Sequence, residues 1–373
     1  MGKMLSQYLL SLFIAFSSFA AAQTCTSLTI PVNIEAQTAH ITIPEPVDQS
    51  ALTAFFVNLS THSIDYPNTI INGTRQLKAQ YKIAGKLCTP KNVKPNGTLE
   101  FATHGVAFTH AWWEVDGDNS EFNYAAKAVA SGHSIFYYDR LGTGFSSLPD
   151  GIQEVQSTVQ VEIAHALVQY LRQGKTGHKF GKLIGVGHSF GSVITVGVTV
   201  KYPKDFDDVV LTGFAIGDPV APFVGAASFG AAIASEAIPT LNTPSSYVVP
   251  GTISSYQANF LQYPNYDPAV IAAQFKIRGT ATLGEFTTLT TPVAPATDFT
   301  GRVLVVTGIT DSFFCGGNCA EKINGTTPPN LVAGLYPATS NFSSYVPLNT
   351  GHGINVHFSA PTTYDIIEKW IGA

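Results

Sequence analysis

Charge is what this chain most conspicuously lacks. Only 12% of its 373 residues are Asp, Glu, Lys or Arg, against about a quarter in an average soluble protein. The formal net charge of −5 is spread along the chain rather than gathered in a block. That argues against a nucleic-acid partner, which would demand clustered Lys and Arg. Internal repeats are absent, and beyond residue 22 no apolar run is fit to span a bilayer. Residues 221–237 come nearest, but Pro222 and Glu236 interrupt a stretch of mostly small side chains. Because 45% of the residues are hydrophobic, the chain can still bury the core of one large domain, or of a core domain carrying an insertion.

The first 22 residues read as a secretory signal peptide: Lys3, an apolar stretch over Leu9 to Phe16, then Ala20-Ala21-Ala22, with cleavage expected after Ala22. Secretion, with no stable membrane anchor, makes two other features coherent. Five acceptor sequons begin at Asn58, Asn72, Asn96, Asn324 and Asn341, and glycans there would add solubility that the scarce charges do not. The second feature is an even count of four cysteines, which an oxidising compartment would pair. Locality favours Cys25 with Cys88 and Cys315 with Cys319. The Cys-x3-Cys spacing could instead serve a metal, but no second His or Cys pair lies at a matching spacing, so no metal is expected.

From Cys25 to about Lys86 polar and apolar residues alternate between turn residues, as in antiparallel strands. The 23–98 segment is therefore read as β-rich. From Leu99 the pattern changes to short apolar runs, at residues 99–105, 134–139, 182–187, 208–216 and 302–308, which resemble strands buried on both faces. Between them, residues 121–131, 154–173 and 189–201 read as helices. This alternation predicts an α/β fold with a doubly wound, mostly parallel sheet, its site beyond the carboxyl ends of the strands. Core segments are expected at 99–216 and 301–373. The intervening 217–300 shows no strand pattern and reads as an inserted cap, since its many aromatics argue against a disordered linker.

Gly187-His188-Ser189-Phe190-Gly191 is a G-x-S-x-G sequence that ends an expected strand and opens an expected helix, the context in which that motif carries meaning. A serine there is a nucleophile only if a base takes its proton and a further group orients the base. Asn349-Thr350-Gly351-His352-Gly353 supplies His352 as the expected base, and Asp311, just past the 302–308 strand, is the expected acid. Asp218 is the alternative acid. An oxyanion hole needs fixed donors, for which the backbone N–H groups of Phe190 and Val106 are nominated, the latter following His104-Gly105.

Together with Asp139-Arg140-Leu141-Gly142-Thr143-Gly144, these segments resemble the alpha/beta-hydrolase superfamily in its serine esterase and lipase branch, over about residues 99–371. The resemblance implies a central sheet of eight strands, a variable cap before the acid, and a purely structural turn at Asp139-Arg140. Related dehalogenases and epoxide hydrolases carry an aspartate where Ser189 stands, so Ser189 points away from both. The implied activity is cleavage of a carboxylic ester, of an apolar small molecule or a lipid-like substrate, through an acyl-enzyme, without cofactor or metal. Two other readings stand beside it. One is a lyase, cyclase or transferase on the same fold, and the other is a secreted binding protein. His104, His110, Trp112, Trp113 and His188 are the candidate pocket residues, with core packing the alternative for the two tryptophans.

Overall fold

In the computed structural model, which describes residues 23–118, 120–217 and 220–372, the alternating N-terminal residues form two long antiparallel strands. These are β1 (Gln23–Ile41) and β2 (Ile71–Pro90). Ile30, Val32, Ile34, Ala36 and Thr38 of β1 are buried while the residues between them are exposed, so the period of two turns one face to the core. The expected signal segment, residues 1–22, and the alternative acid Asp218 lie outside the described residues.

The N-terminal part is not strand throughout. Helices α1 (Gln49–Leu59) and α2 (Tyr66–Ile70) occupy the connection between the two strands. Asp48 caps α1 by accepting from the Ala51 N–H at 2.8 Å, and Leu52, Phe55 and Phe56 recur at helical spacing on its buried face. Pro67 presets the first turn of α2.

Beyond this hairpin come β3 (Thr98–Thr103), α3 (Tyr124–Ala130), β4 (Ser134–Tyr138), α4 (Ser157–Arg172), β5 (Lys182–His188), α5 (Phe190–Lys201) and β6 (Asp208–Thr212). The segment expected to lack strands holds α6 (Ala221–Ser228) and a small antiparallel sheet, β7 (Ala231–Ile233), β8 (Tyr247–Pro250) and β9 (Ala281–Thr282). These strands are only three, four and two residues long, too short for a period to register in the sequence. Phe229, Tyr247, Tyr256 and Phe260 of this segment are buried. Strands β10 (Arg302–Val306) and β11 (Asn341–Tyr345) complete the main sheet.

That sheet has eight strands in the order β1-β2-β4-β3-β5-β6-β10-β11. From β4 through β11 every neighbouring pair is parallel, and β2 joins the parallel set by pairing antiparallel with β4. One strand end differs from expectation. β6 stops at Thr212 rather than 216 because Gly213, at φ 54°, turns the chain away. Helix α4 lies on the buried face of β1, where Gln156 both donates to the Ala39 carbonyl at 2.9 Å and accepts from its N–H at 2.8 Å.

Both expected disulfides are present, Cys25–Cys88 and Cys315–Cys319. Cys25 and Cys88 face each other directly in the β1/β2 ladder. Of the sequon asparagines, Asn72, Asn96, Asn324 and Asn341 are exposed and Asn58, on α1, is half-buried. Among the described residues no helix is long and apolar enough to cross a membrane. The Cys25–Cys88 bridge closes a loop spanning 63 positions, so replacing both cysteines by alanine is expected to lower unfolding stability by about 2–5 kcal/mol. Urea denaturation of the double variant measures this.

Candidate active site

Ser189 sits where β5 turns into α5, at φ 56° and ψ −120°, a left-handed conformation that a residue with a side chain adopts only under constraint. The constraint is visible in its glycine neighbours. A Cβ on Gly191 would lie 1.9 Å from the Thr103 carbonyl oxygen, and one on Gly187 would lie 2.5 Å from the Ser192 Cα. Gly105, on the loop after β3, comes so near that its Cβ would fall 2.7 Å from that of Ser189. The Ser189 N–H donates to the Thr212 carbonyl at 2.9 Å, which pins the turn to β6.

Asp311 follows β10 and caps the short helix Ser312–Cys315. One carboxylate oxygen accepts from the amides of Phe313 and Phe314 at 2.9 and 3.1 Å. The other accepts from the Thr307 hydroxyl and from His352 Nδ1, each at 2.7 Å. Burial alone would raise this carboxyl, but the imidazole beside it and these donors outweigh burial and hold it below the ordinary carboxylate range. His352 is 1% exposed, boxed by the rings of Phe313, Phe260 and Phe314 at 4.8, 5.9 and 5.8 Å. Its Nδ1 faces Asp311, and among the described residues Nε2 has no hydrogen-bond partner. The ring lies 5.2 Å from that of His188, the residue preceding Ser189.

A cavity of about 750 Å³ opens onto Ser189. Val106 and Phe190 line it beside the serine, and among the described residues neither N–H meets an acceptor. Its apolar wall comes from Val193, Phe286, Phe313 and Phe314. A further wall is built by Leu59, His62 and Ile64 of the N-terminal connection and Ile71 at the start of β2, together with Pro222 and Phe223 from the segment around α6, where the His62 and Phe223 rings meet. The part played by residues 59–71 was not legible in the sequence, where nothing ties them to Ser189.

None of the five candidate pocket residues lines the cavity, and each has a packing reason. His104 is fully buried, donating from Nδ1 to the Gly105 carbonyl at 2.8 Å and accepting the Arg140 N–H on Nε2 at 3.1 Å. Burial and the Arg140 charge push it down to about 3, so it is neutral. His110 is drawn to the Asp139 carboxylate at 2.9 Å, in the turn after β4. Trp112 packs on both Phe108 and His188 at 4.0 and 4.6 Å, and Trp113 packs on Tyr124. His188 donates from Nδ1 to the Thr212 hydroxyl at 3.1 Å, because that hydroxyl donates to the Gly187 carbonyl. Burial, then His352 and His104, holds His188 far below its ordinary value. His357 likewise braces the loop, accepting on Nε2 from the Gln262 and Gly351 amides at 3.0 and 3.1 Å.

Arg140, expected as part of a structural turn, has partners that sequence reasoning did not find. Fully buried, it pairs with Glu285, donates to the Gly105 carbonyl at 3.3 Å and lies 4.8 Å over the Phe190 ring. It thus backs both candidate oxyanion loops. The signal was present in Asp-Arg-x-Gly-x-Gly, but its partner stands 145 residues away.

Residues 120–319 match the family of serine aminopeptidases designated S33. The chain belongs to this family, within the alpha/beta hydrolases. No curated protein matches it in sequence. Solved structures of similar fold include an esterase from Thermogutta terrifontis with malate bound (16% identity, TM-score 0.50, covering 78% of this chain and 93% of that one). A monoacylglycerol lipase from Paleococcus ferrophilus is similar too (13%, 0.51, 78% and 98%), as is a bromoperoxidase from Bacillus anthracis (14%, 0.52, 79% and 95%). At these identities the likeness is one of fold.

Two outcomes test this hydrolase's site scaffold. Arg140→Met leaves Glu285 buried without its cation and is expected to cost about 3–5 kcal/mol, which Arg140→Met/Glu285→Leu should partly restore in urea unfolding. Burial holds His357 down to about 4, below its ordinary 6.5, so between those values the unfolded chain binds a proton that the folded one does not. Stability from His357 is therefore present above pH 6.5 and is lost as pH falls towards 4. In that window the parent should lose about 1.4 kcal/mol per pH unit more than His357→Gln, read from unfolding curves at several pH values.

Proposed function

We propose that this chain is a secreted serine hydrolase that cleaves carboxylic esters of apolar acids through an acyl-enzyme intermediate. The observation that carries the reading is the buried His352–Asp311 pair, at 2.7 Å, together with a serine of strained backbone that lines an apolar cavity. Ser189 Oγ attacks the ester carbonyl while His352 Nε2 takes its proton. Asp311 fixes the tautomer and stabilises the imidazolium that forms. The N–H groups of Val106 and Phe190 receive the negative charge that develops on the carbonyl oxygen, where preorganised donors act most strongly. Collapse breaks the ester C–O bond, His352 returns the proton to the departing alcohol, and water then repeats the sequence to free the acid and restore Ser189.

Several features support this assignment of roles. His104, His188 and His357 are held neutral by burial, and none of the three has a carboxylate partner, whereas His352 has one. The cavity's apolar wall suits the acyl group. Secretion is supported by the expected signal segment, the sequons and the two disulfides.

Hydrolysis of p-nitrophenyl esters of graded acyl length tests the reading. Ser189→Ala should keep the fold by circular dichroism and lose turnover entirely, and Asp311→Asn should lower kcat by about 10⁴-fold. Ester cleavage that survives in Ser189→Ala would overturn the assignment. Near-normal rates in Asp311→Asn, with loss in Asp218→Asn, would move the acid to Asp218.

A further inference from the structure

At the opposite end of the strands from Ser189, three titratable side chains that the proposed chemistry does not use are buried together. Glu100 lies near the start of β3, His133 directly precedes β4, and Glu368 belongs to the C-terminal helix Ala360–Ile371. Their side chains are 0%, 8% and 3% exposed, and one donor atom from each lies within 4.8 Å of the others.

The hydrogen bonding within the cluster does not close. His133 Nδ1 is 2.9 Å from Glu100 Oε1 and 3.0 Å from Glu368 Oε2. A single N–H cannot serve two carboxylates, and with it aimed at Glu100 both oxygens of Glu368 are left without a donor. Unpaired buried carboxylate oxygens are expensive. The second Glu100 oxygen accepts the Tyr124 hydroxyl at 2.6 Å, which fixes that carboxylate's orientation. Among the described residues no Lys or Arg pairs with either glutamate. An imidazolium with two carboxylates therefore sums to one uncompensated negative charge.

A divalent cation held by a neutral imidazole and two carboxylates sums to zero. We propose that Glu100, His133 and Glu368 bind one divalent transition cation of the zinc or manganese kind, through His133 Nδ1 and one oxygen of each glutamate. The donor separations of 2.9 and 3.0 Å approach the ~3.3 Å edge of a tetrahedron with ~2.0 Å bonds. A ligand set of one nitrogen and two oxygens favours such metals over calcium or magnesium, which take oxygen alone. The ion would clamp the C-terminal helix to β3 and β4. Its role is structural, so the proposal stands independently of the ester chemistry.

Metal analysis of the secreted protein, purified without chelator, is the test, combined with thermal unfolding before and after EDTA and after added zinc chloride. The expected result is about one equivalent of metal, a Tm lowered by about 5 °C with EDTA and restored by zinc, and neither effect in Glu368→Gln. A parent protein without metal, whose Tm responds to neither EDTA nor zinc, would overturn the proposal and leave a shared proton as the occupant. Equal metal retention in Glu368→Gln would overturn it too, by placing the ion elsewhere. If Glu368→Gln does not fold, the parent's metal content and EDTA response decide alone.

Discussion

The backbone of Ser189, held at φ 56°, is the constraint around which the rest of the molecule is arranged. A serine in that conformation is unfavourable by about 1–3 kcal/mol and persists only because its surroundings fix it. β5 delivers the chain, α5 removes it, and the Thr212 carbonyl holds the Ser189 amide from the next strand. Gly105, Gly187 and Gly191 then become requirements of close approach, since a methyl group at any of them would meet backbone or Ser189 itself. The turn is thus stabilised by a sheet buried on both faces, the kind of rigid support on which a precise site can be built.

Around this turn the molecule separates two environments. Below it, aromatic and histidine side chains are buried together: Trp112 packs on Phe108 and His188, and His104 is locked by its own loop. Above it the cavity is assembled from chain segments far apart in sequence, residues 59–71, the stretch around α6, and the short helix after Asp311. Phe313 and Phe314 belong to both environments, because they line the cavity and also pack on His352. Changes that reshape the pocket there will therefore also disturb the imidazole.

Much of this arrangement was legible in the residues. Short apolar runs mark β3, β4, β5, β6 and β10, alternation marks β1 and β2, and G-x-S-x-G marks its turn. Local chemistry suffices for these elements because each is specified by its own neighbours. What escaped was non-local. Helices α1 and α2 are short and interrupt an alternating pattern, and their contact with the cavity depends on the fold bringing residue 62 near residue 223. His104, His110, Trp112, Trp113 and His188 carry chemistry that suggests a pocket, but the loop after β3 buries His104, Trp112 and Trp113 and leaves His110 half-buried on Asp139, while His188 is buried at the end of β5. Likewise the Arg140–Glu285 pair and the Glu100–His133–Glu368 cluster join positions more than 30 residues apart, where no spacing rule reaches.

The central claim is that Ser189 is an activated nucleophile, and a fluorophosphonate tests this without knowledge of the natural substrate, because it traps serines paired with a working base. The decisive measurement is the intact mass of the parent and of Ser189→Ala after exposure to the reagent. One covalent adduct is expected on the parent and none on the variant. An unmodified parent that is demonstrably folded, or equal labelling of the two proteins, would contradict it.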